Sequence, residues 1–296
     1  MSAVAIQPAS RRVAVLVLIA AFAAAVAVRV RLDREAMTER ALSPIVYVTS
    51  GATLRRLSFG YQGLLADLYW TRVVQYFGRQ KLAGASDFQD LGQLLRVTTQ
   101  LDPHLLIAYR FGAIFLAEKP PAGAGRPDEA LALIRRGIAA NPAYWRLWQD
   151  LGFIYYWDLK DYVQAARAFE EGSRQPGADV WMKTLAASVA AQGGELETSR
   201  LLWSEVYASA GNATIRRSAK EHLAAIKAAE DIEQLNRLLA DFDQRENRYA
   251  LSIDDLVRAG MLRGRPADPS GVRYEVGRDG KATLGPDSRI DLRLAH

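Results

Sequence analysis

The sequence predicts an all-α chain: an α-solenoid of about four helix hairpins, preceded by one apolar transmembrane helix and followed by a small helix-plus-β-hairpin cap. Three observations predict it. Proline-containing dipeptides Asp102-Pro103, Asn141-Pro142 and Gln175-Pro176 punctuate the middle, the last two prolines thirty-four residues apart, a period of paired-helix repeats. Glycine and alanine recur at fixed offsets from aromatic residues within each period. Val13 to Val28 is an uncharged run bracketed by arginines.

Composition narrows the function classes. Half the residues are hydrophobic and a quarter charged, the profile of a folded chain. There is no cysteine, which excludes disulfides, thiolate metal sites, a catalytic thiol and an acylated cysteine. Of the net charge of +5, residues 1–40 contribute +3. The folded portion therefore has no strong basic excess, and a nucleic-acid partner is not expected.

The elements follow in order. Residues 1–12 form a short tail. Residues 13–31 read as a transmembrane signal anchor, the arginine stems extending an apolar run shorter than a bilayer core. Ala25-Val26-Ala27 also offers the small-residue site of a cleaved signal peptide, and a buried core helix is the third reading. Arg29, Arg31, Arg34 and Arg40 taken alone favour a body held in the cytoplasm. A short tail before a single apolar run is the format for export, so an exported body is the expectation. Residues 32–59 read as a linker.

Within "LSFGYQGLLADLYWTRVVQYFG" apolar residues wrap nearly all sides of a helix. Such a helix is clamped by neighbours or pressed on a membrane or membrane partner. Asp67 reads as a hydrogen-bonded structural carboxylate, paired with Arg72.

Residues 60–211 carry the repeat. Trp148, Leu151-Gly152, Tyr155, Ala165, Phe169, Gly172 and Pro176 resemble the tetratricopeptide repeat pattern W-x2-L-G-x2-Y…A-x3-F…P. One extra residue stands in the turn between the helices, and one fewer before the proline. Gly112, Ala130, Ile134, Gly137 and Pro142 fill the slots upstream, with the loop "EKPPAGAGRP" about six residues longer than usual. Leu185-Ala186, Val189, Ser199, Trp203 and Val206 fill them downstream. Leu91, Leu95, Thr98 and Pro103 make a degenerate first unit. The resemblance implies that Tyr109, Arg146, Gln149, Phe153, Tyr156 and Lys183 line a concave groove that takes a partner's peptide or helix. The alternative is that flanking helices of the same chain fill it.

Residues 212–247 read as a capping helix, possibly broken once, with Asn212 or Thr214 at its start. In 248–296, a short helix precedes an alternating strand at 272–276 and an Asp-Gly turn at Arg278-Asp279-Gly280-Lys281. The pattern "LVRAGML…P.DP.G..Y…DG" is similar to the C-terminal end of type II secretion major pseudopilins. The processing motif and glutamate that open a pilin helix are absent, so polymerisation is not implied. Asp268, Asp279 and Asp287 are candidate Ca²⁺ ligands, for which turn chemistry is the cheaper account.

No catalytic constellation is legible. His104, His222 and His296 lack metal-ligand spacing, and "GAGRPDEA" lacks the Lys-Ser/Thr of a phosphate loop. The expectation is no catalytic, cofactor or metal site, and a scaffold anchored in the bacterial inner membrane that binds subunits of an envelope complex. A released periplasmic adaptor or chaperone is the alternative. An enzyme with a site in the 117–127 loop and the cap is a third.

Overall fold

A computed structural model describes residues 20–22, 24, 26, 50–85 and 87–295. The chain divides into Met1–Thr49 and Ser50–His296. The tail, most of the 13–31 segment and most of the 32–59 linker lie outside the described residues. Among the described residues no helix is long and apolar enough to cross a membrane.

The second unit is mostly helical, with one two-stranded sheet. It opens with a helix where the end of a linker was expected. Helix α1 (Gly51–Leu57) is capped by the Ser50 hydroxyl, which accepts from the Thr53 amide at 3.3 Å. The Gly51 amide donates to the Gln100 side chain at 3.1 Å, and a Cβ on Gly51 would lie 2.7 Å from that side chain. Only glycine lets this helix start so close to its neighbour.

Next come α2 (Gln62–Leu82), α3 (Leu91–Leu101), α4 (Leu106–Ala117), α5 (Pro127–Ala140), α6 (Trp145–Phe153), α7 (Tyr162–Ser173), α8 (Trp181–Gln192) and α9 (Leu196–Ser209). Each packs on the helix that follows, most extensively α2 on α3, α4 on α5, α6 on α7, α7 on α8 and α8 on α9. Small residues decide how close they come. A Cβ on Gly112 of α4 would collide with Leu95 of α3 and lie 3.1 Å from Leu133 of α5. One on Gly152 of α6 would be 2.6 Å from the Phe169 ring of α7, and one on Gly172 would be 2.6 Å from Met182 of α8. Phe169 and Met182 are fully buried. Where the slot holds Ser199, its buried hydroxyl donates to the Ala187 carbonyl at 2.8 Å, so the polar atom is satisfied.

The turns show how the sequence departures are absorbed. After Phe153 the backbone widens into a π-helical turn, Ile154–Leu159, and leaves it through Lys160 at φ 56°. This widened turn falls where the sequence comparison of hairpins expected one extra residue. Between α8 and α9 the chain turns through Gly193-Gly194, with Gly194 at φ 80°, because glycine makes a left-handed turn without steric cost. The long 117–127 loop folds back on α4. The amides of Ala124, Arg126 and Gly125 donate to the carbonyls of Phe115, Leu116 and Glu118 at 2.8, 2.7 and 2.8 Å, satisfying the free end of the helix. Asn141 ties two proline turns together: its Nδ2 donates to Pro103 O at 3.0 Å and Gly137 O at 3.1 Å, while His104 Nδ1 lies 2.9 Å from its Oδ1.

Helix α10 (Ala213–Glu246) is unbroken, capped by Asn212, whose Oδ1 accepts from the Ile215 amide at 2.9 Å. At roughly 1.5 Å per residue it spans about 50 Å. Its first half packs on α9, where Trp203 and His222 stack at 3.9 Å. Its second half joins a separate core. There Leu235, Leu239 and Phe242 meet α11 (Ile253–Arg258), strands β1 (Glu275–Val276) and β2 (Ala282–Thr283), and Tyr274. The strands pair antiparallel through the Asp-Gly turn, with Gly280 at φ 75°. A final 3₁₀ turn, Leu292–Ala295, packs on α10 and α8.

One sequence expectation is corrected, and one of the two readings of helix α2 is set aside. Asp67 is exposed, and the Arg72 guanidinium lies over the Tyr69 ring at 5.1 Å. Helix α2 is not clamped all round: Ala66, Tyr69, Val73, Tyr76 and Phe77 are buried on one side, while Leu64, Leu68 and Val74 remain exposed.

Candidate partner-binding face

Helix α4, "LIAYRFGAIFLA", has one charged residue in twelve. Burial takes Ala108, Tyr109, Gly112, Ala113, Leu116 and Ala117. Ile107, Phe111 and Ile114 are left 43, 47 and 41% exposed, and their i, i+4, i+7 spacing aligns them in one stripe. Arg110 lies in the same stripe and reaches α6. Its Nε donates to Asp150 Oδ2 at 2.6 Å and its second nitrogen to Oδ1 at 3.2 Å, a bidentate fork.

That ion pair joins the α4 stripe to a stripe of α6. Arg146, Gln149, Asp150 and Phe153 share a face by the same spacing. Asp150 is buried and Arg110 partly exposed. Burial pushes the Asp150 carboxyl up, and the hydrogen bond and charge of Arg110, helped by Arg146, oppose the shift. The same hydrogen bond raises the Arg110 guanidinium further.

The sequence-predicted groove residues fall in four places. Arg146 is exposed, with its guanidinium 4.4 Å from the centre of the Trp145 ring. Gln149 and Phe153 are half-buried on the same helix, Phe153 edge-on to Phe169 at 5.2 Å. Tyr156 belongs to the π-helical turn, edge-on to Trp157 at 4.7 Å and Tyr162 at 5.3 Å. Lys183 lies on α8, where its Nζ pairs with Glu205 at 2.9 Å. Tyr109 does not face a groove. It is buried against Gly137, where a Cβ would be 2.8 Å from its ring, and burial raises its hydroxyl pKa. It fills the space that Gly137 leaves between α4 and α5.

Sequence reasoning missed Ile107, Phe111, Ile114 and Arg110. The available signal was the apolar content of α4: a twelve-residue helix with a single charge leaves apolar side chains exposed wherever its neighbours do not surround it. It also missed Trp157, 61% exposed on the π-helical turn with Lys160 Nζ over its ring at 5.2 Å. Beside it Asp158 is pushed up, first by burial and then by Glu118 at the start of the folded-back loop.

The acidic residues of the cap are accounted for by turns. Asp268 accepts from the Ser270 amide and hydroxyl at 2.8 and 2.7 Å, from the Val272 amide at 3.0 Å, and from the Ser288 hydroxyl. Burial alone raises its carboxyl, but these donors outweigh burial and hold it below the usual range. Asp279 Oδ1 accepts from the Lys281 amide at 3.2 Å, and Asp287 is exposed. Among the described residues no group of three or more acidic or histidine side chains is placed to hold a metal ion. No protein-family model and no curated protein matches the chain.

Proposed function

We propose that this chain is a membrane-anchored helical-repeat adaptor, in which a solenoid of tetratricopeptide-like hairpins binds a protein partner and holds it at the bacterial inner membrane as part of an envelope complex. The observation that carries the reading is the joined face of α4 and α6. An apolar stripe of Ile107, Phe111 and Ile114 runs beside a partly buried ion pair and an exposed Arg146. Aromatic anchors ringed by arginine are the composition of binding hot spots. The hairpin reading draws support from Gly112, Gly152 and Gly172, each of which leaves no room for a Cβ at a helix contact. The anchor draws support from the apolar run 13–28 and its flanking arginines.

The test places a photo-crosslinking residue at Phe111 or Arg146 in the full chain in native membranes, with exposed Gln244 as control. The expected result is one shared cross-linked partner at 111 and 146, none at 244, and loss of that product in Arg146→Glu combined with Phe111→Asp. Unchanged capture by a doubly substituted chain that keeps its helical circular dichroism refutes the face. The small residues Ala25-Val26-Ala27 favour a second reading, a released periplasmic adaptor. A mature N-terminus near Val28 selects it, and retention of Arg11 selects the anchor.

A further inference from the structure

The first turns of the body carry a surface that the other described residues leave uncovered. Leu57, Phe59 and Tyr61 alternate through the α1–α2 connection and are 61, 87 and 69% exposed. Leu64 and Leu68 continue the surface one turn apart on α2, at 59 and 52%. The connection is a defined turn. The Ser58 hydroxyl donates to Arg55 O at 2.7 Å, the Tyr61 amide donates to Ser58 O at 2.8 Å, and Phe59 and Gly60 take φ of 48° and 93°. A left-handed phenylalanine is unfavourable, yet the turn keeps Phe59 in that conformation.

Charge and covalent reach say what covers it. Residues 50–86 carry Arg55, Arg56, Arg72, Arg79 and Lys81 against Asp67 alone. Arg55 and Arg56 are exposed and immediately precede Leu57. Ser50 follows Val28, the end of the apolar run, by 22 positions, and a chain of that length reaches at most about 80 Å. Aliphatic and aromatic side chains with flanking arginines are the composition of a membrane-interface contact, and cations near anionic headgroups are each attracted to them.

We propose that this patch lies in the interface of an anionic bilayer, with Leu57, Phe59, Tyr61, Leu64 and Leu68 in the headgroup–acyl boundary and Arg55 and Arg56 on lipid phosphates. The proposal rests on residues 13–31 being an anchor. It adds a second contact that fixes how the first helix pair meets the membrane.

The chain has no cysteine, so Phe59→Cys or Leu68→Cys in the full chain accepts a single environment-sensitive fluorophore, with Gln244→Cys as the remote control. In vesicles of phosphatidylglycerol and phosphatidylethanolamine, labels at 59 and 68 are expected to shift to the blue and be quenched several-fold by brominated lipid, while 244 stays in water. Arg55→Glu with Arg56→Glu, or zwitterionic vesicles, should reduce that quenching at least threefold. A chain that floats with the vesicles but leaves 59 and 68 as solvated as 244 overturns the lipid contact and spares the anchor. A chain that does not float removes the anchor and the contact together. Burial of the labels that grows with protein density and ignores brominated lipid assigns the patch to a second copy and also overturns the proposal.

Discussion

Gly152→Ala separates two physical effects by sign. In an exposed helix interior, replacing glycine by alanine stabilises by about 0.8–1.0 kcal/mol through backbone propensity alone. At position 152 the added methyl would lie 2.6 and 2.8 Å from atoms of the Phe169 ring, where ordinary carbon contacts are near 3.5–4.0 Å. Phe169 is fully buried, and Phe153 closes on its edge at 5.2 Å, so the ring has little room to retreat. Overpacking of this kind costs about 1–3 kcal/mol. The midpoint of that range, about 2 kcal/mol, outweighs the propensity gain and leaves a net loss of about 1 kcal/mol. For a chain of this size that lowers the Tm by about 2–4 °C. Gly78 on α2 has nothing within 4 Å of its would-be Cβ, so Gly78→Ala should raise the Tm by about the same amount. Thermal unfolding of the full chain in detergent, followed by circular dichroism, reads both. Phe169→Leu in the Gly152→Ala background should recover part of the loss, giving a non-additive pair. If Gly152→Ala matches the gain of Gly78→Ala, α6 and α7 do not approach at this point, and the account of the helix contacts fails.

Arg110→Met leaves Asp150 buried without its partner and should cost about 2–3 kcal/mol, below the 3–5 of a fully buried pair because Arg110 is partly exposed. Burial already holds the Asp150 carboxyl above its unfolded value, and losing Arg110 raises it further. The folded state then binds more protons than the unfolded one between about pH 4 and the raised value. Urea unfolding should therefore show the deficit of Arg110→Met shrinking as pH falls through that window, and a deficit independent of pH refutes the pairing. Asp255 and Asp268 behave oppositely, both held below the usual carboxyl range by donors that outweigh their burial. Their stabilisation is complete above about pH 4 and is lost as pH falls through their lowered values. Asp268→Asn should flatten the acid limb of cap unfolding, read by hydrogen exchange at Tyr274 and Ala282. Tyr274→Phe removes the hydroxyl that donates to Asp231 at 3.0 Å and should cost about 1.5 kcal/mol as a bond to a charged group, measured as a shift in urea midpoint.

The pattern of small and aromatic residues made much of the helical body legible. Gly112, Gly152, Ala165 and Phe169 mark where helices approach, and a spacing in sequence translates directly into a contact when two helices follow one another through a short turn. Prolines and Asn212 marked the ends. One residue more than the expected spacing between α6 and α7 was visible as a count. Whether it would enter a turn or a helix was not, because that depends on which neighbour yields: Gly193-Gly194 supplies a turn, whereas Lys160 has no glycine beside it and the helix widens.

The candidate face was only half legible. Arg146, Gln149 and Phe153 were placed from repeat slots, and they do share a helix face. Tyr109 was placed by the same rule and is buried, since Gly137 opposite it has no side chain and draws the ring inward. A slot in one helix says nothing about the volume offered by the helix across from it. The sequence by itself determined most of the helical segments and the positions that must be small, because those follow from local periodicity and from steric limits within a few residues, but it left Gly51–Leu57 as linker and did not foresee the widened turn at Ile154–Leu159. The tertiary structure alone decided which apolar residues stay uncovered and which charges meet. Ile107 and Phe111 have the composition of a core, and Arg110 and Asp150 stand forty positions apart. Exposure and pairing of that kind depend on relative helix placement, a property no single segment carries.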